Sequence, residues 1–419
     1  VNKNKGLLYL PVEVKVREMD SKLLLAYYAV KEGYQVIIGD HYMVELASEE
    51  YPNGIFFSKG YPHGFRKRVI THAKDNGHII VELDEEGLLI NEEKYFRDRM
   101  RREMLQFVTH EYCWGKYQKE AITRTYPEYE EKYHVVGNPR LDLLTSKFRS
   151  MYEEGSNRLI DEYGEFILIN TRFSKYNTAR GMKDNPHFKD IKKLYYLFLD
   201  MIKETCEKFP DTMFIVRPHP GENFQSYKQA LADYNNVKVI HEGNIIKWLL
   251  AAKVVIHNGC TSGIEAYLLE KPLISYDPPI SNKKSVSLPN KLGIKATSIA
   301  ELHATLEEVR LKKDLQRNDK GFVNEKGLFD YLEWSNDSFS CENILQRFNS
   351  LHVPSKASEF FNLPNKSFRI KGKKRKKRIF SLTQEEIEDF FLKLDAIEGT
   401  KRDFVIKKLG NNLFTIHKF

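Results

Sequence analysis

Three stretches of this chain carry side chains suited to chemistry. Arg217-Pro-His-Pro220 and His257-Asn-Gly-Cys-Thr-Ser-Gly-Ile-Glu-Ala266 each follow a short apolar run, Phe214–Val216 and Val254–Ile256. A third, Asp84-Glu-Glu-Gly87, follows His78–Leu83. Runs of this kind read as buried strands, and the Gly- or Pro-rich polar residues after them mark the strand ends. Ligands in open α/β sheets bind at the carboxyl ends of strands. Arg217, His219, His257 and Asn258 would therefore line a crevice, and Thr261-Ser-Gly263 would open a helix. Hydroxyls and N–H groups at a helix start suit an anion, and Arg and His add positive charge. A phosphate is the ligand these residue types fit. Asp84, Glu85 and Glu86 place three carboxylates at another strand end. Asn170 and Arg172, after the run Phe166–Ile169, are further candidates to line the same crevice.

The elements that must hold these residues form two α/β sets. Gly6–Val14 reads as a strand, Leu23–Lys31 as a helix capped by Asp20 or Ser21 and closed by Gly33, and Val36–Gly39 as the next strand. This βαβ opening predicts a parallel sheet, which His78–Leu83, Gln106–Thr109 and Tyr133–Val136 continue. Trp114 reads as a core residue and Gly137-Asn-Pro139 as a structural turn. The second set runs through Phe166–Ile169, a helix over Leu194–Phe209, then strands ending at Arg217, Ile240, His257 and Ser275. The expected organisation is a domain over 1–150, a second over 160–350, and a C-terminal appendage over 365–419. Two doubly wound halves would face a cleft.

Composition narrows the classes. With 419 residues, 41% of them hydrophobic, the chain can build two domains with real cores. No run is long and apolar enough to span a membrane, and the N-terminus runs directly into a strand pattern without a signal peptide. Cys113, Cys206, Cys260 and Cys341 fit no metal-ligand spacing and read as reduced thiols of a cytoplasmic protein. Residues 355–419 hold 16 Lys and Arg against 8 Asp and Glu, which accounts for the whole net charge of +8. The neutral body argues against a nucleic-acid enzyme with an electropositive cleft, and no nucleic-acid partner is expected. Within the tail, Lys371–Arg378 is a dense basic run. Thr383 and Glu386 form a capping box, Ile387, Phe390, Phe391, Leu394 and Ile397 share one helix face, and Gly410-Asn-Asn412 reads as a hairpin turn.

The motif set resembles bacterial surface carbohydrate (capsule and lipopolysaccharide) biosynthesis proteins, glycosyltransferases of the two-Rossmann GT-B architecture related to transferases of CMP-activated Kdo or sialic acid. The carrying residues are Pro11 with Arg17-Glu-Met-Asp20, Leu83–Gly87, Gly137-Asn-Pro-Arg-Leu-Asp142, Arg217–Pro220 and His257–Ala266. They cover roughly residues 5–345. The resemblance implies that His219, with Pro220 and Arg217, holds the donor phosphate. It also implies that Thr261, Ser262 and Gly263 add donors, and that Glu265 accepts from ribose hydroxyls. Glu85 or Glu86 would deprotonate the acceptor or attack the sugar. No Asp-x-Asp triplet occurs, so no metal and no cofactor beyond a nucleotide-sugar is expected.

The expected activity is transfer of an ulosonic sugar from a CMP donor to a glycan or lipid-linked glycan. The protein would be cytoplasmic, with Lys371–Arg378 available to an anionic inner-membrane surface. Two other enzyme readings remain open: a non-hydrolysing UDP-sugar 2-epimerase and a CDP-polyol phosphotransferase of the teichoic-acid type. A non-enzymatic interaction protein would use the basic run and leave the strand-end residues without a role.

Overall fold

The structure is a computed structural model that describes residues 4–88, 91–280, 288–311, 327–353, 359–368 and 380–419. The chain divides into two compact units: Val1–Phe148 together with Gly327–Phe419, and Arg149–Lys326. Each is a layered α/β body, and the fold class matches the two Rossmann-like domains expected.

In the first unit, β1 (Leu7–Val12), β2 (Gln35–Asp40), β3 (Ile55–Ser58), β4 (Ile79–Leu83), β5 (His110–Cys113) and β6 (Tyr133–Val135) pair in parallel in the order β2-β1-β3-β4-β5-β6. All six residues of β1 are buried, as both-face coverage of a parallel sheet requires. Tyr9, Ile37, Phe56 and Ile80 fill one face together with Val44 and Ile70 from the helices. Because β2 and β3 flank β1, the order reverses there, and the crevice between β1 and β3 is the switch point.

The second unit has β7 (Phe166–Thr171), a small antiparallel pair β8 (Asn177–Thr178) and β9 (Gly181–Met182), then β10 (Met213–Pro218), β11 (Val237–Val239), β12 (Val254–His257), β13 (Leu273–Tyr276) and β14 (Ile294–Ala296). The main sheet is parallel, in the order β11-β10-β7-β12-β13-β14. Counting only its members, this is the 3-2-1-4-5-6 order of a dinucleotide-binding sheet, with its switch point between β7 and β12. The helix Lys189–Lys208 covers one face through Tyr195, Phe198 and Ile202.

The C-terminal segment departs from its expected place. The capping box and hairpin form, with Thr383 and Glu386 reciprocally bonded. They are not an appendage, however. β15 (Phe404–Gly410) pairs with β16 (Leu413–Lys418), and β16 runs antiparallel to β2, extending the first sheet to eight strands among the described residues. Gly39 has to lack a side chain, since a Cβ there would lie 2.0 Å from the Asn412 carbonyl oxygen. The helix Gln384–Glu398 packs on the first helix. Tyr27 donates to Asp395 at 2.8 Å, Lys31 pairs with Asp395 at 3.1 Å, and Phe391 meets Tyr27 edge to face. The helix Ser340–Asn349 also belongs to the first unit, capped by the buried Asp142, which accepts from the Ser340 and Cys341 amides at 2.9 Å. The boundary expected near 350 therefore lies before 327. The run Lys371–Arg378 lies outside the described residues.

Two local expectations also shift. The first helix is Lys15–Lys31, beginning a turn and more before Asp20, because Arg17 and Glu18 are held in ion pairs that fix that turn. The strand expected over 106–109 is instead His110–Cys113. Its centre, Glu111, is fully buried and paired with Arg66 at 3.1 Å, so a charged residue interrupts the apolar signal of a core strand.

Candidate functional site

At the carboxyl ends of β1, β3 and β4 in the first unit, oppositely charged groups meet. Lys59, just past β3, is buried and pairs with Glu18 at 2.8 Å and Glu13 at 2.9 Å. Lys22 pairs with Glu85 at 2.7 Å, both almost fully buried. Arg17 pairs with Glu86. Arg99 grips Asp84 with two bonds, Nε–H to Oδ2 at 2.6 Å and Nη2–H to Oδ1 at 2.5 Å. Every charge here has a counter-charge within the same unit.

These partners decide what the carboxylates can do. Burial pushes the Glu85 carboxyl up, but Lys22, with Lys59 and Arg17 behind it, holds it below the usual carboxylate range. For Glu86 the same opposition of burial and Arg17, helped by Arg99 and Arg140, also leaves it low. A carboxylate with a depressed pKa is a weak base near neutral pH. Of the three expected catalytic acids, Asp84 is sealed and spent on Arg99, Glu85 is sealed against Lys22, and Glu86 is about half exposed. Trp114 is buried, as expected, and its indole N–H donates to the Asp84 carbonyl at 2.7 Å.

The second unit is built differently. Asn170, near the end of β7, stands in register with His257 on β12 and with Arg217 on β10. His257 is fully buried. Its Nδ1 accepts from the Gly259 amide at 3.0 Å, which leaves the proton on Nε2. Burial lowers its pKa to about 4, so the ring is neutral at physiological pH. Gly263, in the helix Ser262–Leu268, gives the ring room: a Cβ there would lie 2.7 Å from the imidazole Cε1. His257 Nε2, Asn170 Nδ2 and Asn258 Oδ1 are buried polar atoms without a hydrogen-bond partner. Arg172 is exposed and donates to the Gly259 carbonyl at 3.0 Å, tying the two strand ends together.

The remaining expected residues divide. His219 sits in the turn after β10, with Nδ1 accepting from the Gly221 amide at 3.1 Å, and Pro220 beside it is exposed. Thr261 and Ser262 are half-buried, and the Ser262 hydroxyl lies 2.7 Å from the Cys260 sulfur. Glu265 is buried in the helix. Two expectations need correction. Arg217 does not offer its guanidinium to a ligand at the strand end. It donates to the Glu242 and Gly243 carbonyls at 2.6 and 3.0 Å and stacks over Trp248, so it braces the β11 loop. Burial in that setting lowers its pKa to about 10. Nor are all the amides of the helix start open, since Gly263 and Ile264 already donate to the Cys260 and Thr261 carbonyls at 3.0 Å.

Sequence reasoning missed Glu222, which is buried and accepts from Thr171, Tyr227 and the His219 amide. The only local signal is an acid three residues past His219. It also missed Lys22 and Lys59, whose partners are distant in the chain, and Arg99, fifteen positions from Asp84. Among the described residues no group of three or more His, Cys, Asp or Glu side chains could hold a metal ion, and no helix is long and apolar enough to cross a membrane.

No protein-family model and no curated protein matches the sequence. Solved structures do. The UDP-GlcNAc 2-epimerase of Methanocaldococcus jannaschii, in complex with UDP-GlcNAc and UDP, is 14% identical with a TM-score of 0.54, the match covering 82% of this chain and 99% of that one. A further UDP-N-acetylglucosamine 2-epimerase is 12% identical with a TM-score of 0.54, covering 86% and 100%. The enzyme of Rickettsia bellii is 11% identical with a TM-score of 0.50, covering 83% and 96%. What these matches share with the present chain is the architecture: a two-domain, Rossmann-type α/β fold of the GT-B kind.

Proposed function

We propose that this protein is an enzyme acting on a nucleotide-activated sugar, and that the second unit holds the nucleotide and its phosphates at the switch point between β7 and β12. The observation that carries this is the trio His257 Nε2–H, Asn170 Nδ2 and Asn258 Oδ1, buried without partners at adjacent strand ends. Leaving such a group unpaired costs about 1–3 kcal/mol. A ligand that supplies the missing partners recovers that energy on binding. Two donors and an acceptor suit phosphate oxygens together with a ribose or base edge. His219, Thr261, Ser262 and Glu265 lie in the loops and helix that surround these strand ends, and Pro220 flanks His219.

Within this class, the architecture favours UDP-sugar 2-epimerisation, because the fold neighbours carry that activity in their names. Transfer of a Kdo- or sialic-acid-like sugar from a CMP donor is the reading supported by the sequence motifs. Glu86, about half exposed, is then the carboxylate of the 84–86 triplet open to substrate. Its low pKa suits a nucleophile or a ligand contact better than a general base. Calorimetry with UDP, CDP, CMP and dTDP against wild type and Asn258→Ala tests the site. NMR of UDP-GlcNAc incubated without acceptor then separates the chemistries. Conversion at C2 supports the epimerase. UDP binding without conversion, or CMP selectivity, moves the reading to a transferase. Failure of all four nucleotides to bind would overturn the proposal.

Attachment to anionic membrane through Lys371–Arg378 is a separate proposal. Its test is vesicle co-sedimentation of full-length protein with those charges replaced by Gln or Ser. Truncation is unsuitable, because the segment after the run builds β15 and β16.

A further inference from the structure

We propose that Glu222 is a positioning residue of the nucleotide site, the group that holds His219 and the end of β7 in one fixed arrangement. This rests on the nucleotide-site reading above. The Glu222 side chain is buried, and none of the ion pairs among the described residues includes it. Its Oε1 accepts from the Thr171 hydroxyl at 3.0 Å and from the His219 amide at 3.1 Å, and its Oε2 accepts from the Tyr227 hydroxyl at 2.6 Å. The Phe173 amide is a further donor to it. One carboxylate thus bolts together three elements: β7, which carries Asn170, with the Arg172–Phe173 loop after it, the turn after β10 that carries His219, and the helix Phe224–Ala230.

The imidazole is then oriented in turn. The Gly221 amide donates to His219 Nδ1 at 3.1 Å, so neutral His219 carries its proton on Nε2, a donor suited to a phosphate oxygen. A loop-borne histidine needs such bracing, because a displacement on the order of 1 Å in a positioning contact can cost about a hundredfold in rate.

A charge is a demanding way to brace two loops. The titratable groups around Glu222 are Tyr227 on the helix Phe224–Ala230 that follows it, Tyr195 on the helix Lys189–Lys208 and His219 in the same turn. Burial raises the Glu222 carboxyl, and the bonds from Tyr227, Phe173, Thr171 and His219 only partly offset that. The sign follows from linkage. An acid whose folded pKa is raised binds its proton more tightly in the native state, so its ionisation lowers stability as pH rises. A residue that only stabilised the fold would not be built this way. An acceptor-only group that can hold two backbone amides and two hydroxyls at once would be.

The test compares wild type, Glu222→Gln and Glu222→Ala in the full chain, by calorimetry with UDP and CMP and by thermal unfolding. Glutamine keeps the volume and removes the buried charge, but offers only one acceptor oxygen to the fixed amide donors. The expected result for Glu222→Gln is a melting temperature equal to or above wild type with nucleotide bound about tenfold more weakly. Glu222→Ala should lose more affinity and also melt earlier. Wild-type affinity should fall on acidification at a pH above the ordinary glutamate range, a limb absent from Glu222→Gln. Unchanged affinity in Glu222→Gln, while wild type and Asn258→Ala differ, would overturn the role of Glu222 and leave the site standing. Absence of nucleotide binding by wild type would overturn both.

Discussion

The two units present the same kind of feature, the carboxyl ends of a parallel sheet at its switch point, and fill it in opposite ways. In the first unit the strand ends are crowded with charge, and each charge is matched: Lys59 with Glu13 and Glu18, Lys22 with Glu85, Arg17 with Glu86, Arg99 with Asp84. In the second, Asn170, Asn258 and the neutral imidazole of His257 each leave one buried polar atom without a partner. In the first, Arg17 Nε and Glu85 Oε2 are also unbonded, but they belong to groups already held by a counter-charge. A dense set of ionisable residues looks more chemical in a sequence. Yet a matched pair has little left to offer a ligand, whereas a buried orphan gains from one. Unsatisfied bonding capacity in groups that no counter-charge already holds, rather than charge, points to the nucleotide site.

The largest effect should come from unbalancing the first unit. Lys22→Met leaves Glu85 as an unpaired buried carboxylate, which costs about 3–5 kcal/mol of stability. The double variant Lys22→Met with Glu85→Met should recover most of it, as urea unfolding would show. A loss of less than about 1 kcal/mol in the single variant would mean that this pair is solvated and open to ligand after all.

Next comes the pH response of the second unit. His257 has a folded pKa of about 4 against an ordinary value near 6.5, so the unfolded chain binds its proton first. The stability it supports is complete above pH 6.5 and is lost as pH falls toward 4, by up to about 3 kcal/mol. His257→Gln should flatten that part of the profile, read as urea midpoints at pH 7 and pH 5. A profile identical to wild type would remove His257 from its buried, neutral place.

A smaller change sharpens the contrast within the second site. In Gly263→Ala the new methyl group crowds the His257 ring, which must shift, so nucleotide affinity should fall about tenfold while stability drops by about 1–3 kcal/mol. Equal affinity in calorimetry would show that the ring position is irrelevant to binding. The mildest outcome is expected for Arg217→Met: its bonds run to the Glu242 and Gly243 carbonyls, so stability should fall by about 1–2 kcal/mol with nucleotide affinity nearly unchanged. A large affinity loss with intact stability would return Arg217 to the phosphate.

Much of this arrangement is legible before folding, for definable reasons. Phe166–Ile169 and Val254–Ile256 are continuous apolar runs that stop in polar residues, so Asn170, His257 and Asn258 could be placed at strand ends from local pattern alone. β5 could not, because its buried Glu111 needs Arg66, forty-five positions away in the chain, to be tolerable in a core strand. The same long separation hides Lys22 as the partner that takes Glu85 out of circulation. Arg99 lies only fifteen positions from Asp84, but beyond the helix Glu92–Asp98, whose path back to the strand end no local pattern gives. Arg217 misleads because a strand-end position gives a side chain's address but not its direction. The C-terminal hairpin was visible as a hairpin, while its docking on β2 depends on Gly39 leaving space for the Asn412 carbonyl, which no local pattern announces.

The most direct measurement is hydrogen exchange of the full chain with and without saturating nucleotide, using whichever of UDP or CMP binds more tightly. Slowed exchange in peptides spanning 170–173, 219–223 and 257–265, with residues 13–22 and 84–88 unchanged, is the predicted result. Protection confined to 13–22 and 84–88 would contradict it and place the nucleotide among the matched charges of the first unit.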